Sequence, residues 1–262
     1  MNLSSVLDLV PIPLLFPLTV AVALLSVEAG RWLGLRRREG GTEPESSIGA
    51  SVGATLGLLA FVLAFTFGMA ADRSNTRRGL VVEDANAIGT TYLRTFLLPD
   101  PPASEMREQL REYVESRLGA AANPASLPTA LARAEELQGL LWRQATTIGT
   151  QQPNPATTGL FIEALNNMID LHGTRVAAVR SRIPGIIWFF VFLTTVVGMV
   201  SMGYQTGVNG SRRTIAVVGL AIAFAGVIML IADLDRPQDG FLRVNQQAML
   251  DLQRSMQPDA SK

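Results

Sequence analysis

The sequence predicts an all-α, polytopic membrane protein with four transmembrane helices in two hairpins and a helical insert that extends the second and third spans. Hydrophobic residues make up 48% of the chain and charged residues only 17%, whereas a soluble domain carries roughly 25% charged residues. Four apolar segments approach or exceed the ~20 residues that cross a bilayer as a helix. The polar stretch between the second and third segments shows apolar residues at helical spacing.

The first apolar segment is the least regular of the four. The segments are Leu7–Val27, Ile48–Ala71, Ile183–Tyr204 and Ile215–Ala232. The last three contain no charged residue, whereas the first has Asp8 at its margin and three prolines. Because proline lacks the backbone N–H, Pro11, Pro13 and Pro17 predict an irregular or kinked span. Asp8 and the lack of Lys and Arg before this span argue against a cleaved signal peptide.

These spans divide the chain into four parts. They are a first transmembrane hairpin at 1–71, an extramembrane insert at 72–182, a second transmembrane hairpin at 183–234 and a tail at 235–262. Apolar stripes predict insert helices over 106–118, 131–148 and 158–182, and a short amphipathic helix over 245–256 in the tail. No proline or loop-like cluster separates the second span from the insert. We therefore expect continuous helices to enter and leave the insert.

The second span carries small residues at every fourth position, namely Gly49, Gly53 and Gly57. In lipid, small residues at this spacing let two helices approach closely. Three glycines would otherwise weaken the helix by roughly 1 kcal/mol each. The spacing therefore predicts tight packing against a partner helix, in the same subunit or in another.

A second strip of the same helix has hydroxyls at both ends and apolar residues in the middle. Its members are Ser51, Thr55, Leu59, Val62, Thr66 and Arg73. If this strip lines a pore, it gives wet vestibules on either side of an apolar constriction that gates by dewetting. If it does not, the hydroxyls bond to carbonyls of their own helix. The spacing alone leaves both interpretations open.

Charged residues near the membrane edges are expected to form a network between helices. The candidates are Asp72, Arg77, Arg78, Glu83, Asp84, Asp170, Arg175, Asp233, Asp235 and Arg236. Those after the second span include no opposite-sign pair at i,i+4, so their partners are expected on another helix, for example Asp170 for Arg77. Asp233 and Asp235 are expected to pair with arginines at the membrane edge. A calcium loop is disfavoured because Pro237 stands where a ligand is needed.

Several function classes have little support. The chain has no cysteine, which excludes disulfides, iron–sulfur clusters and thiolate chemistry. The formal net charge is +0, so nothing favours binding to nucleic acid. No catalytic triad, phosphate loop or metalloprotease motif is present, and we expect neither an enzyme nor a cofactor. His172 lies on an apolar stripe, which is more typical of a core histidine than of a ligand.

Four blocks of sequence resemble the bacterial bestrophin-like domain family. They are "LAFTFGMAADRSNTRRGLVVEDANAIGTTYLR" at 63–94, "GRWLGLRRR" after the first span, "LNNMIDLH" before the third and "LDRPQDGFLRV" after the fourth. A more distant resemblance links the chain to bestrophin anion channels. That resemblance implies a homo-oligomer whose second helix lines a central pore. The candidate pore strip lacks the aromatic rings of a bestrophin neck, so the resemblance does not extend to anion selectivity.

Two functions are therefore expected. The first is a homo-oligomeric ion channel, and the second is a non-conducting scaffold or sensor whose insert binds a partner or ligand. The expected partners are membrane lipid, further copies of the chain and inorganic ions, in a bacterial cytoplasmic membrane.

The short loops are basic, with Arg31 and Arg36 to Arg38 in one and Arg212 and Arg213 in the other. By the positive-inside rule the insert then lies outside the cytoplasm, although arginines flank the insert as well.

Overall fold

The computed structural model describes residues 10–38, 45–151, 155–210, 214–236 and 240–257, and these ranges contain helices and no strand. The helices are α1 Ile12–Arg38, α2 Glu45–Thr95, α3 Pro102–Ala122, α4 Leu127–Gln151, α5 Pro155–Arg180, α6 Gly185–Val208, α7 Thr214–Asp235 and α8 Gln247–Ser255. A short 3-10 helix, Pro124–Ser126, joins α3 to α4. The all-α class is confirmed.

Four helical stretches of the described chain are long and apolar enough to cross a membrane. They fall within 12–37, 48–95, 156–208 and 215–235. The second and third stretches are much longer than a bilayer is thick. Each contains one part without charged residues and one part with them. In the second stretch the uncharged part ends at Ala71. In the third it is α6, which has no charged residue, whereas α5 contains Glu163, Asp170, Arg175 and Arg180. We therefore place α5 outside the membrane-spanning segments.

The first span differs from its prediction in extent. The first two spans were expected to end at Val27 and to begin at Ile48, but α1 continues to Arg38 and α2 begins at Glu45. Pro11 and Pro13 lie at the helix start, where a missing N–H costs nothing, since the first turn has no helical acceptor for it. Only Pro17 lies inside α1.

The chain forms two compact units. Unit 1 comprises Met1–Ser74 with Arg182–Arg243, and unit 2 comprises Asn75–Ser181 with Val244–Lys262. The single helix α2 contributes its first part to unit 1 and its second part to unit 2. The C-terminal helix α8 belongs to unit 2, so the tail from Val244 onward is part of the same compact unit as most of the insert.

Unit 1 is held together by a close approach of α1 and α6. Gly30 and Gly34 of α1 lie against Gly203 and Gly207 of α6, and a Cβ at any of the four would overlap a backbone atom of the opposite helix. A Cβ on Gly30 would meet the carbonyl oxygen of Val200. This is the small-residue packing that lets helices associate in lipid. Helix α7 packs against α1 as well.

The expected uninterrupted helix from the insert into the third span needs correction. Helix α5 ends at Arg180 and α6 begins at Gly185, with residues 181–184 in a non-helical conformation. Pro184 explains the break, because proline has no N–H to donate and disfavours a helical conformation at the residue before it. The backbone N–H of Ile183 donates instead to Oδ1 of Asp235, at 2.9 Å.

Unit 2 is built on a hairpin of α3 and α4 that packs against α5 and the second part of α2. Its core consists of apolar side chains at 3-4 spacing on each helix, including Met106, Leu110, Leu137, Leu141 and Phe161, all with no exposed surface. Met249 of α8 and Met256 just after it are buried in the same core. Met249 and Met256 therefore anchor the C-terminal helix in the core of unit 2.

Candidate functional site

The candidate pore strip of α2 points mainly into unit 1. Leu59 is 0% exposed and belongs to a cluster with Trp188 and Val191 of α6. Thr66 is buried, Thr55, Val62 and Arg73 are partly buried, and only Ser51 is exposed. Leu59 and Thr66 of this strip are therefore occupied by packing within the chain. Which face of α2 lines a pore stays a prediction.

The hydroxyls of this strip bond to their own helix. The Thr55 hydroxyl donates to the carbonyl of Ser51 at 2.8 Å, and the Thr66 hydroxyl donates to the carbonyl of Val62 at 2.7 Å. These are the bonds to carbonyls of the same helix that were expected if the strip does not line a pore. They satisfy the hydroxyls without water.

The exposed face of α2 carries an aromatic stripe that the sequence analysis did not select. Phe61 is 67% exposed, Phe65 is 63% exposed, and Leu58 one turn earlier is 54% exposed. Within the described chain, a Cβ on Gly53 or Gly57 would meet nothing within 4 Å. Gly49 differs, because its Cβ would lie 3.1 Å from Nε2 of Gln205. Phe61 and Phe65 are four residues apart and so share one helix face. The sequence favoured the other face as a pore lining because that face carries hydroxyl groups.

The acidic residues at the end of the fourth span accept hydrogen bonds from backbone N–H groups. The Asp233 carboxylate accepts from the N–H of Phe241 at 2.6 Å and of Leu242 at 3.0 Å. Asp235 accepts from Ile183 and lies 3.6 Å from Nε of Arg182. Within the described chain, no cluster of three or more metal-ligating residues is present, while Asp239 lies outside the described residues.

Unit 2 contains a buried polar cluster centred on Asp84 of α2. Oδ2 of Asp84, which is 0% exposed, accepts from Nη2 of Arg117 on α3 at 2.5 Å and from Nη1 of Arg175 on α5 at 2.6 Å. Arg175 also donates to Oε1 of Gln246 at 3.1 Å. One carboxylate therefore joins three helices and the segment before α8.

The same cluster contains His172. Nδ1 of His172 lies 2.9 Å from Nη1 of Arg117 and 3.1 Å from the hydroxyl of Tyr113. Gln138 of α4 donates to that hydroxyl at 3.1 Å. Burial raises the pKa of the Tyr113 phenol above its ordinary value, partly offset by the charge of Arg117. His172 is buried, as expected, but its partners are polar groups rather than an apolar core.

The other candidate charges lie apart from this cluster. Asp72, Arg78, Glu83 and Asp170 are exposed, and Arg77 is buried. Asp84 pairs with Arg117 and Arg175, and the pairing of Arg77 with Asp170 stays a prediction. In unit 1, Arg236 donates to the carbonyl of Val10 at 2.6 Å.

Solved structures share this fold at low sequence identity. A substituted form of a bacterial bestrophin homolog from Klebsiella pneumoniae matches with a TM-score of 0.65 at 13% identity, covering 92% of this chain and 96% of that chain. The same homolog phased on zinc matches with a TM-score of 0.65 at 14% identity and the same coverage. A variant of a membrane protein matches with a TM-score of 0.66 at 15% identity, covering 94% and 97% of the two chains.

A family model gives the assignment by sequence. No curated protein matches this chain. The model of the Bestrophin-like domain matches residues 17–249, which include most of the first span, the other three spans and the whole insert. The match agrees with the four blocks of sequence that suggested the resemblance. This multi-pass helical membrane protein therefore belongs to the bestrophin-like domain family.

Proposed function

We propose that the chain forms a homo-oligomeric ion channel whose pore is lined by the exposed face of α2. The observation that carries this proposal is the stripe of Leu58, Phe61 and Phe65, which is exposed within unit 1 on a helix segment with no charge from Ile48 to Ala71. The resemblance to bestrophin anion channels supports the choice of α2. Their second helix surrounds the pore, and aromatic rings form its narrow part.

The stripe suits a gate made of apolar side chains. A ring of Phe61 and Phe65 from several subunits would make an apolar constriction, which closes to ions when it loses water. Gly53 and Gly57 lie on the open side of α2 about two to three turns before Phe65, and with no side chains they leave room for a wider, wet entrance. The constriction is thus proposed at Phe61 and Phe65, in place of Leu59 and Val62.

Exposed apolar residues of unit 2 support assembly with further copies of the chain. Leu93 and Phe96 near the end of α2 are 67% and 61% exposed, and Val82, Leu97 and Leu160 are exposed as well. Large apolar side chains exposed outside the membrane mark interaction surfaces. Identical chains close such surfaces by rotational symmetry, which also places one α2 from each subunit around a common axis.

The proposal is tested on purified protein in detergent and in planar bilayers. We expect native mass spectrometry to give one closed oligomer, and bilayers to show discrete ion currents. Replacing Phe61 with alanine widens the constriction and is expected to raise the conductance several-fold. A monomer, or bilayers that stay silent under voltage and osmotic tension for both proteins, would contradict the proposal.

The side of the membrane that holds the insert is proposed from the charge distribution. The basic short loops place the insert outside the cytoplasm of a bacterial inner membrane. Because the chain has no cysteine, a single cysteine in place of the exposed Ala132 is a clean probe. A membrane-impermeant maleimide is expected to label it in intact spheroplasts. Labelling that needs permeabilised membranes would place the insert in the cytoplasm.

A further inference from the structure

The only histidine of the chain lies where four elements of unit 2 meet. His172 of α5 is 5% exposed. The titratable and charged groups around it are Asp84 on α2, Tyr113 and Arg117 on α3, Glu135 on α4 and Arg175 on its own helix. Gln138 of α4 and Gln246 before α8 complete the cluster through Tyr113 and Arg175. The ring is therefore linked through these groups to α2, α3 and α4 and to the segment before α8.

The contacts of the ring determine which nitrogen carries the proton. Arginine has only N–H donors and no acceptor. Because Nδ1 of His172 lies 2.9 Å from Nη1 of Arg117, Nδ1 must present its lone pair to the guanidinium. The Tyr113 hydroxyl, 3.1 Å away, donates to the same lone pair while it accepts from Gln138. The neutral ring therefore carries its hydrogen on Nε2.

Protonation of this ring has a specific structural cost. A proton on Nδ1 removes the lone pair that accepts from both Arg117 and Tyr113, and sets an N–H donor against two donors. It also adds a positive charge near the buried guanidinium of Arg117 and the partly buried one of Arg175, which already share the single carboxylate of Asp84. Both bonds that join α5 to α3 through the ring are then lost.

We propose that His172 is an acid-sensitive latch of the insert, which bonds α5 directly to α3 while it is neutral and releases these direct bonds when it is protonated. The latch does not depend on ion conduction, because all of its groups lie in unit 2. Protonation of His172 first breaks only the hydrogen bonds of the ring itself. Arg117 and Arg175 keep Asp84 as a partner, so the first bonds to open are those of the ring.

The electrostatics of the cluster set the direction of the pH dependence. Burial, followed by the charge of Arg117, lowers the pKa of His172 below its ordinary value of 6.5, although Asp84 and Glu135 act in the opposite direction. The unfolded chain therefore binds a proton at a higher pH than the folded chain does. The stability of unit 2 is expected to fall as the pH drops below about 6.5, and to stop falling from this cause below the folded pKa.

The variant His172→Gln separates the latch from other acid effects. Glutamine is neutral at all these pH values, and its amide offers one acceptor and one donor group in place of Nδ1 and Nε2–H. Between pH 7.5 and pH 5 we expect the melting temperature of unit 2 in the unsubstituted protein to fall further than that of the variant, by roughly 3 °C or more. Asn167→Gln, at an exposed position of the same helix, is the matched control and should behave as the unsubstituted protein.

A second measurement needs no variant. The ring Cε1–H signal of the single histidine can be followed by NMR in the full-length protein, without ambiguity of assignment. The latch requires an apparent pKa below 6.5. An apparent pKa at or above that value, or equal losses of melting temperature in the unsubstituted protein and in His172→Gln, would overturn the proposal.

Discussion

Replacing Asp84 with alanine is expected to lower the free energy of unfolding of unit 2 by about 3–5 kcal/mol, because it breaks a buried ion pair by removing one partner. The buried guanidinium of Arg117 and the partly buried one of Arg175, which both bond to its Oδ2, would remain without a counter-charge. The loss comes mainly from these two stranded cations rather than from the attraction that is removed.

The change can be measured by chemical unfolding of the detergent-solubilised protein, followed by circular dichroism. Asp170→Ala is the matched control, since Asp170 is an exposed carboxylate on α5 and makes no ion pair with another described residue. Surface substitutions of this kind usually change stability by less than about 0.5 kcal/mol. Equal stabilities for the two variants would show that the cluster does not hold the helices of unit 2 together.

Replacing Gly203 with valine is expected to prevent the close packing of α1 and α6. A Cβ at Gly203 would overlap the carbonyl oxygen of Val27, and this neighbour is backbone that cannot rotate away. Overpacking costs typically 1–3 kcal/mol where side chains can adjust, so we expect at least about 3 kcal/mol here. In lipid, such contacts supply much of the attraction between helices.

The effect of Gly203→Val should appear as loss of monodisperse protein on size exclusion and as earlier unfolding in SDS. Gly219→Val on α7 is the control, because within the described chain a Cβ at Gly219 would meet nothing within 4 Å. Valine has the same poor helix propensity at both sites. A variant at Gly203 that behaves like the one at Gly219 would contradict the α1–α6 packing.

The fold class could be predicted because its signals are local. The length of each apolar segment and the stripes of the insert depend on neighbouring residues in the chain. The break at Pro184 was also present in the sequence, since proline and the residue before it disfavour a helix. The sequence nevertheless favoured a continuous helix, because the apolar stripe of α5 continues through Ile183. Ile183 is indeed buried in the structure, although it lies in the break.

The faces of α2 could not be assigned in the same way. Leu59 and Phe61 are both apolar and two positions apart, and only the position of α6 decides that Leu59 is buried and Phe61 is exposed. The structure shows a close helix contact through "GRWLG" and "GYQTG" on α1 and α6, while packing of Gly49, Gly53 and Gly57 against a helix of another subunit stays a prediction. These two motifs have the same small-residue spacing and were visible in the sequence.

The partners within the buried cluster of unit 2 could be predicted from the sequence only in part. The absence of an opposite charge at i,i+4 indicated that Asp84 has its partners on other helices. Which partners it has depends on tertiary packing, because Arg117 and Arg175 lie far from it in the chain and the sequence contains many other arginines. His172 was expected to be buried, but its polar partners became visible only once α3 and α5 were placed side by side.

The central claim, that the exposed face of α2 lines the pore, is tested most directly by single cysteines in this cysteine-free chain. A charged, water-soluble thiol reagent is applied to open channels that carry a cysteine at one position from 58 to 66. Cysteines in place of Phe61 and Phe65 are predicted to react and to block the current, whereas cysteines in place of Leu59 and Leu63 stay unreactive. Block at Leu59 or Thr66, with none at Phe61 and Phe65, would contradict this account.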